Sequence, residues 1–278
     1  MENSYNADAV LERAASVEVS AWRLSLDTGS VATTVPMIRG VWGKALHRLC
    51  GDSYARVFEG AGSTPRLPRY IVRAVVPRPQ EQTAIEVLYF DLDAKERESM
   101  LRAWDMASGM GLGPEREPFV VTAREPLAPS PGLATGAPWT LEQAAGRIGS
   151  RDAVSIVFDQ PLRIVREGKL VDAMTLPLLA DAALRRLLAL STARSSEDWG
   201  LLRGLRSLRI DDGAWSGGPQ DLVRYSGSQR REVELRGVVG RLELPRGTGT
   251  IISLMEVAAW LHLGKGTVFG MGRPLIRT

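Results

Sequence analysis

Alternating apolar and polar residues, giving way to helical spacing, divide the chain into two similarly patterned halves. Alternation with a period of two predicts a strand, and apolar positions three and four apart predict one buried face of a helix. The elements predicted in the first half are a strand at 16–26, a helix at 38–49, strands at 71–76 and 84–92, a helix that Asp93 caps and that runs to about Met106, and a strand at 119–123.

The second half repeats this order after a proline-rich segment. Three of the first six residues of 126–139 are proline, which predicts a boundary between domains. The elements predicted beyond it are a short helix at 141–148, strands at 153–159 and 162–166, a helix at 177–190, an irregular stretch at 192–219, a strand or hairpin at 232–244, and a helix at 251–262 before a last short strand.

A β-α-β-β-α-β order in each half predicts an α+β protein with two tandem ferredoxin-like (RRM-like) domains and a glycine-rich loop near the C-terminus. We expect an N-terminal domain at 1–127, a linker at 128–140 and a C-terminal domain at 141–278.

Basic charge is concentrated at the C-terminal end. Residues 223–278 carry nine Lys and Arg against four Asp and Glu, whereas residues 1–222 carry 26 against 28. This asymmetry is expected if the C-terminal end meets phosphate. Arginine supplies 31 of the 35 basic residues, which suits bidentate phosphate contacts, although a GC-rich genome explains the same bias equally well.

The sequence predicts a cytoplasmic protein without a membrane segment. It contains no signal-peptide pattern, no run of eighteen apolar residues and a single cysteine, Cys50, which we interpret as a small core residue rather than a nucleophile. No Cys/His cluster has zinc spacing, and the acidic residues show no ligand pattern. We therefore expect no metal site and no cofactor.

A glycine loop lies between the last predicted helix and the last strand. Gly264, Gly266, Gly270 and Gly272 form the pattern G-x-G-x-x-x-G-x-G. Walker loops and dinucleotide fingerprints have the opposite setting, since both follow a strand and begin a helix. Glycines allow positive φ and close approach of a polymer backbone, so we expect the loop amides, together with Lys265, to bind phosphate.

The stretch from Trp260 to Gly272 resembles the C-terminal glycine-rich motif of the repeat-associated (RAMP) superfamily. It is most similar to the CRISPR precursor-RNA processing endoribonucleases, including type IV-like members, and residues 224–231 and 238–240 are similar to that family as well. The convincing part covers residues 222–278. The resemblance implies the same tandem fold, with CRISPR repeat RNA as the partner and other subunits of a CRISPR ribonucleoprotein complex as further candidates.

The resemblance also implies an endoribonuclease reaction without metal. The ribose 2′-OH attacks the adjacent phosphorus and releases a 5′-hydroxyl, and the mature crRNA stays bound. A catalytic histidine of this family often lies on or near the first helix, where this chain has His47. An imidazole serves as acid or base near neutral pH, and such proton transfer raises a reaction rate roughly 10²- to 10⁴-fold.

Arg39 and Arg23 are the second choices for catalysis. The alternative is that His47 is a surface or half-buried residue of its helix without a catalytic role. No tyrosine lies just before His47 to complete a tyrosine–histidine pair, although Tyr54 follows seven residues later.

Candidate RNA-binding residues lie mainly in the second half. Arg203, Arg206 and Arg209 recur every three residues and would share one helix face, for which a solvated surface is the alternative. His262 is expected to orient the glycine loop or touch phosphate. The full set is Lys44, Arg203, Arg206, Arg209, Arg224, Arg230, Arg231, His262, Gly264, Lys265, Gly266, Gly270 and Gly272.

Two other functions fit the same sequence. A non-catalytic crRNA-binding RAMP subunit of an effector complex would have the same fold, loop and basic residues, with only the proton-transfer group idle. A small-molecule α/β enzyme that uses the loop for a phosphorylated ligand is the more remote alternative; RNA affinity with a steep salt dependence would count against it.

Overall fold

The computed structural model describes residues 6–61, 67–146, 154–191, 198–226, 231–245 and 249–278. Its α-helices are α1 (Ala7–Ala15), α2 (Val35–Leu49), α3 (Gly51–Ser53), α4 (Ala94–Met110), α5 (Leu176–Leu190), α6 (Asp198–Ser207) and α7 (Gly249–Leu261). Its strands are β1 (Glu18–Asp27), β2 (Tyr70–Val75), β3 (Thr83–Phe90), β4 (Val120–Leu127), β5 (Trp139–Thr140), β6 (Ser155–Leu162), β7 (Val165–Arg166), β8 (Lys169–Leu170), β9 (Ala214–Ser226), β10 (Arg231–Glu243) and β11 (Leu275–Arg277).

The first compact unit comprises Glu18–Trp139 and Val268–Gly270. Its main strands are antiparallel in the order β2-β3-β1-β4, and α2 and α4 make the two crossover connections. This is the β-α-β-β-α-β connectivity of a ferredoxin-like unit. Asp93 caps α4 as predicted, because its side chain accepts the Glu96 amide at 2.8 Å while Glu96 accepts the Asp93 amide at 3.0 Å.

The second unit contains the chain up to Val17, Thr140–Thr267 and Met271–Thr278. Its four-stranded antiparallel sheet has the order β11-β6-β10-β9, with α5 after the first strand and α7 before the last. The connectivity is the same as in the first unit, which confirms the predicted tandem ferredoxin-like fold.

Aromatic packing builds the core of the first unit around Trp42 of α2. The Trp42 ring stacks on Trp104 of α4 at 5.4 Å and meets Tyr70 of β2 edge-on at 5.1 Å. Gly43 follows Trp42 in the middle of the helix, where a Cβ would lie 2.5 Å from the ring of Phe58. Glycine costs roughly 1 kcal/mol of helix propensity relative to alanine, and here its absent side chain admits the Phe58 ring.

The units differ from the predicted domains at both ends of the first unit. Helix α1, which the sequence analysis missed, lies in the second unit, and its N-terminus is capped by Asn6, which accepts the Asp8 amide at 3.0 Å. Most of the predicted linker belongs to the first unit, where the Trp139 indole donates to the Leu127 carbonyl at 2.9 Å.

The stretch predicted as irregular at 192–219 contains regular structure. Residues 192–197 lie outside the described part of the chain, but α6 and the first half of β9 occupy most of the rest. Of the tryptophans and glycines in this stretch, Trp199 and Gly200 lie on α6, whereas Trp215, Gly217 and Gly218 lie on β9. Among the helices that the structure describes, none combines the length and apolar character needed to cross a membrane.

Candidate functional site

The exposed face of α2 presents a histidine between two cations. Lys44, His47 and Arg48 are all solvent-exposed, whereas Ala45 and Leu46 of the same turn are buried. Residues three and four apart on a helix are neighbours, so Lys44 lies beside both His47 and Arg48. The predicted catalytic histidine therefore stands on an accessible, positively charged surface.

A tyrosine packs against His47 although none precedes it in sequence. Helix α2 ends at Leu49, Cys50 adopts an extended conformation, and the chain then reverses through α3 into a π-helical turn, Tyr54–Phe58. This reversal brings the Tyr54 ring edge-on to the imidazole, with ring centroids 4.9 Å apart at 88°. The tyrosine–histidine pair is thus completed by a residue that follows the helix.

Arg39 lies near the N-terminal end of α2, within a group of aromatic rings. Its guanidinium carbon lies 4.2 Å from the centroid of Phe58, 5.5 Å from Tyr70 and 4.9 Å from Phe269. Its Nε donates to the Tyr70 hydroxyl at 2.5 Å. Stacking on rings and a hydrogen bond hold this guanidinium in one orientation. We call Arg39 with Phe58, Tyr70 and Phe269 the arginine box.

The arginine box and the Tyr54–His47 pair are continuous. Tyr54 stacks on Phe58 at 4.8 Å and 17°, and Phe58 stacks on Tyr70 at 5.1 Å and 19°. Burial, with the nearby Glu59 carboxylate, raises the pKa of Tyr54, and the Arg39 charge opposes this only in part. Tyr54 therefore keeps its proton at neutral pH and can donate a hydrogen bond.

Arg23 forms an ion pair with Glu81. Its Nη2 donates to Glu81 at 2.5 Å and to the Val76 carbonyl at 3.0 Å, and its Nε donates to Glu81 at 3.2 Å. The hydrogen bonds from Arg23, the Arg78 amide and Ser25 lower the pKa of Glu81 to about 2. A guanidinium already paired with a permanent carboxylate has little charge left for phosphate, so the geometry favours Arg39 over Arg23.

The tip of the glycine loop belongs to the first unit and packs on β2. A Cβ at Gly270, whose φ is +80°, would lie 2.7 Å from the Cβ of Arg73 and 3.3 Å from the Val72 carbonyl oxygen. Arg73 itself is buried and paired with Glu86, with Nε donating at 2.6 Å. Gly270 is therefore required by contact with this strand, which brings Phe269 onto Arg39.

The rest of the glycine loop belongs to the second unit, where several of its amides bind protein carbonyls. Leu263 N–H donates to the Gly272 carbonyl at 2.7 Å, Lys265 N–H to the Arg163 carbonyl at 2.8 Å, and Gly272 N–H to the Pro161 carbonyl at 3.0 Å. The Lys265 and Gly272 amides of the loop are therefore bonded to protein carbonyls, and phosphate binding by the other loop amides stays a prediction. The Lys265 side chain is exposed and remains the candidate phosphate contact.

All four glycines have a positive φ, and at each of them a protein atom lies close to where a Cβ would be. A Cβ at Gly272 would lie 2.0 Å from the Leu263 carbonyl oxygen. The corresponding neighbours are the Arg163 carbonyl oxygen, 2.3 Å from Gly264, and the Met271 sulfur, 2.5 Å from Gly266. At these three glycines the loop packs closely on its own residues and on Arg163, which follows β6.

His262 is fully buried at the end of α7 with a φ of +57°. Its Nδ1 lies 3.0 Å from the Met271 carbonyl oxygen, and since a carbonyl only accepts, Nδ1 carries the proton and donates. Arg186, also buried, donates from Nε to the Leu261 carbonyl at 2.8 Å, and burial lowers its pKa to about 10. His262 is therefore bonded to the glycine loop and has no exposed surface for phosphate.

The predicted basic helix face is shorter than expected, because α6 ends at Ser207 and Arg209 lies beyond it. Arg203, Arg206 and Arg209 are exposed. Asp181 accepts Nε of Arg206 and Nε of Arg185, each at 2.8 Å. Burial opposes ionisation of Asp181, but the two arginines outweigh it and lower its pKa.

Two of the predicted RNA-binding arginines, Arg224 and Arg231, lie near the described ends of β9 and β10. Arg224 and Arg231 are strand residues whose backbones pair with Val233 and Ser226, respectively. Arg230 lies outside the described residues. In the part of the chain that the structure describes, no group of three or more His, Cys, Asp and Glu is arranged to hold a metal ion.

Comparison with known proteins supports the resemblance found in the sequence. Residues 156–274 match the family model described as CRISPR-associated endoribonuclease Cas6. This region includes the hairpin and the glycine loop that carried the resemblance and extends well upstream of them. No curated protein matches the chain by sequence. This match confirms the resemblance of the sequence to a CRISPR RNA-processing family.

Solved structures share the whole fold. A Cas6 product complex matches with a TM-score of 0.63 at 15% identity, covering 93% of this chain and 99% of that one. A second Cas6 product complex matches at 0.60 and 20% identity, covering 94% and 100%. A Thermus thermophilus Cas6 matches at 0.58 and 14% identity, covering 94% and 98%. The likeness extends over both ferredoxin-like units.

The first prediction concerns the glycine loop. Gly272→Ala is expected to destabilise the protein by at least about 2 kcal/mol, because the new Cβ meets a carbonyl oxygen and the backbone keeps a positive φ. Urea unfolding measures the change. Gly109→Ala on α4 is the matched control, since nothing lies within 4 Å of its Cβ. Equal stability of the two variants would contradict this account of the loop.

Proposed function

We propose that this protein, a CRISPR-associated endoribonuclease of the Cas6 family, cleaves the repeat stem-loop of precursor RNA on the exposed face of α2 that carries His47. The pairing of His47 with Tyr54 at 4.9 Å is the observation that carries the proposal. An imidazole held by a protonated tyrosine and flanked by two cations has the parts that RNA transesterification needs. The mature crRNA remains bound after the cut, in the cytoplasm of the cell.

The reaction forms one bond to phosphorus and breaks another. The 2′-oxygen attacks, the bond from phosphorus to the 5′-oxygen breaks, and the products are a 2′,3′-cyclic phosphate and a 5′-hydroxyl. One proton leaves the 2′-hydroxyl and one reaches the departing 5′-oxygen. His47 makes one of these transfers, since an imidazole can either accept or donate a proton.

Lys44 and Arg48 stabilise the negative charge that develops on the phosphorane. Both are exposed and lie within one helical turn of His47. Fixed cations beside a developing oxyanion are a large source of rate enhancement. Tyr54, which keeps its proton, orients the imidazole and is placed to donate to the same phosphate.

Arg39 binds a neighbouring phosphate rather than the scissile one. It precedes His47 by eight residues on α2, which is about 12 Å along the helix axis. The arginine box holds the guanidinium rigidly, so little side-chain entropy is lost when RNA binds. Lys265, Arg203 and the arginines of the hairpin are further contacts to the RNA backbone.

The second prediction tests the histidine. His47→Ala is expected to lower the single-turnover cleavage rate at least about tenfold, while RNA affinity changes by less than about twofold, because an exposed imidazole is lost without disturbing the core. Arg102→Ala, at an exposed position of α4, should cleave normally. If wild-type protein binds the repeat without cutting it, the non-catalytic RNA-binding function replaces this one. Normal cleavage by His47→Ala would instead remove the histidine from the mechanism.

The third prediction tests the arginine box. Arg39→Lys keeps the charge but loses the planar stack and the Tyr70 hydrogen bond, so we expect cleavage to fall roughly tenfold. Tyr70→Phe removes only the hydroxyl and should have a smaller effect. Single-turnover rates and unfolding midpoints are measured together, so that loss of stability is separated from loss of function. An Arg39→Lys variant with the wild-type rate would contradict the role of the box.

A further inference from the structure

Helix α6 is an addition to the ferredoxin-like order of the second unit. It lies between α5 and β9, where the β-α-β-β-α-β connectivity requires only one helix. Its inner face is formed by Leu202, Gly204 and Leu205, which are buried. The residues on its outer face are therefore the part of this helix that the fold does not account for.

The outer face of α6 carries an exposed tryptophan. Trp199 is 65% exposed and is the one aromatic side chain among the large apolar residues that the described structure leaves open to solvent. Tryptophan is usually buried for most of its surface, so such exposure points to a ligand. Arg203 lies one turn further along the same face, and Arg206 follows it.

Charge on this face is unevenly balanced. Arg206 shares the single Asp181 carboxylate with Arg185. For Arg203, which is exposed, the described residues provide no carboxylate within ion-pair distance. Two guanidiniums on one carboxylate and a third guanidinium nearby leave a net positive surface beside the ring, which suits a polyanion.

We propose that Trp199 stacks on a base of the unpaired RNA strand that flanks the repeat hairpin, with Arg203 and Arg206 on the phosphates that follow. This rests on the proposed function. The ring and the two cations form a row of about 10 Å along the helix axis, a length that an extended strand can follow. Aromatic rings beside a basic track are the general means of holding single strands. A lone ring among arginines offers a folded protein little apolar area.

Two RNAs test this. One is the repeat hairpin alone and the other is the same hairpin with unpaired flanks, each carrying a 2′-deoxy nucleotide at the cut so that it stays intact. Trp199→Ala should weaken binding of the flanked RNA about five- to thirtyfold and leave the bare hairpin within about twofold. Trp199→Leu, which keeps apolar bulk without the ring, should behave like Trp199→Ala, and Trp199→Phe should recover most of the affinity.

Other results overturn the inference. Equal weakening of both RNAs would mean that Trp199 acts through stability, and no weakening of either would mean that this face binds something other than RNA. A Trp199→Leu variant with wild-type affinity would show that apolar bulk suffices. These outcomes differ from failure of the proposed function, in which wild-type protein does not bind the bare hairpin at all.

Discussion

The packing of Trp42 is the constraint on which the first unit depends. Its ring is fully buried and stacks on Trp104, so α2 is fixed against α4 and cannot rotate without breaking the core. Because the buried side of α2 is fixed, the opposite side presents Lys44, His47 and Arg48 to solvent. Gly43 admits Phe58 beside Trp42, and this starts the row of rings that leads to His47 in one direction and Arg39 in the other. Core packing thus sets the position of the candidate chemistry.

The glycine loop acts mainly as a framework. Its glycines lie where protein carbonyls, a sulfur or a strand would collide with any side chain, and the amides of Lys265 and Gly272 are bonded to protein. The short piece that carries Phe269 packs on β2 and supplies one wall of the arginine box. A motif that resembles a phosphate cradle in sequence therefore holds other residues in place, while the Lys265 side chain is exposed.

Local pattern predicted much of this structure, and contacts distant in sequence account for what it missed. The periodicity of 38–49 and the capping residue Asp93 located α2 and α4 within a few residues, because burial of one face and a cap are local properties. The Tyr54–His47 pair was not predicted, since it depends on the chain reversing after Cys50 through a π-helical turn. The ion pair of Arg23 with Glu81 was also not predicted, because Glu81 lies far away in sequence, in the connection between β2 and β3.

The measurement that tests the central claim most directly is incubation of the purified protein with its own locus repeat hairpin in EDTA, followed by analysis of the product ends. The account predicts a single cut, with a 2′,3′-cyclic phosphate on one fragment and a 5′-hydroxyl on the other, because side chains alone move the protons. Cleavage that requires an added divalent cation, or a product with a 5′-phosphate, would contradict it.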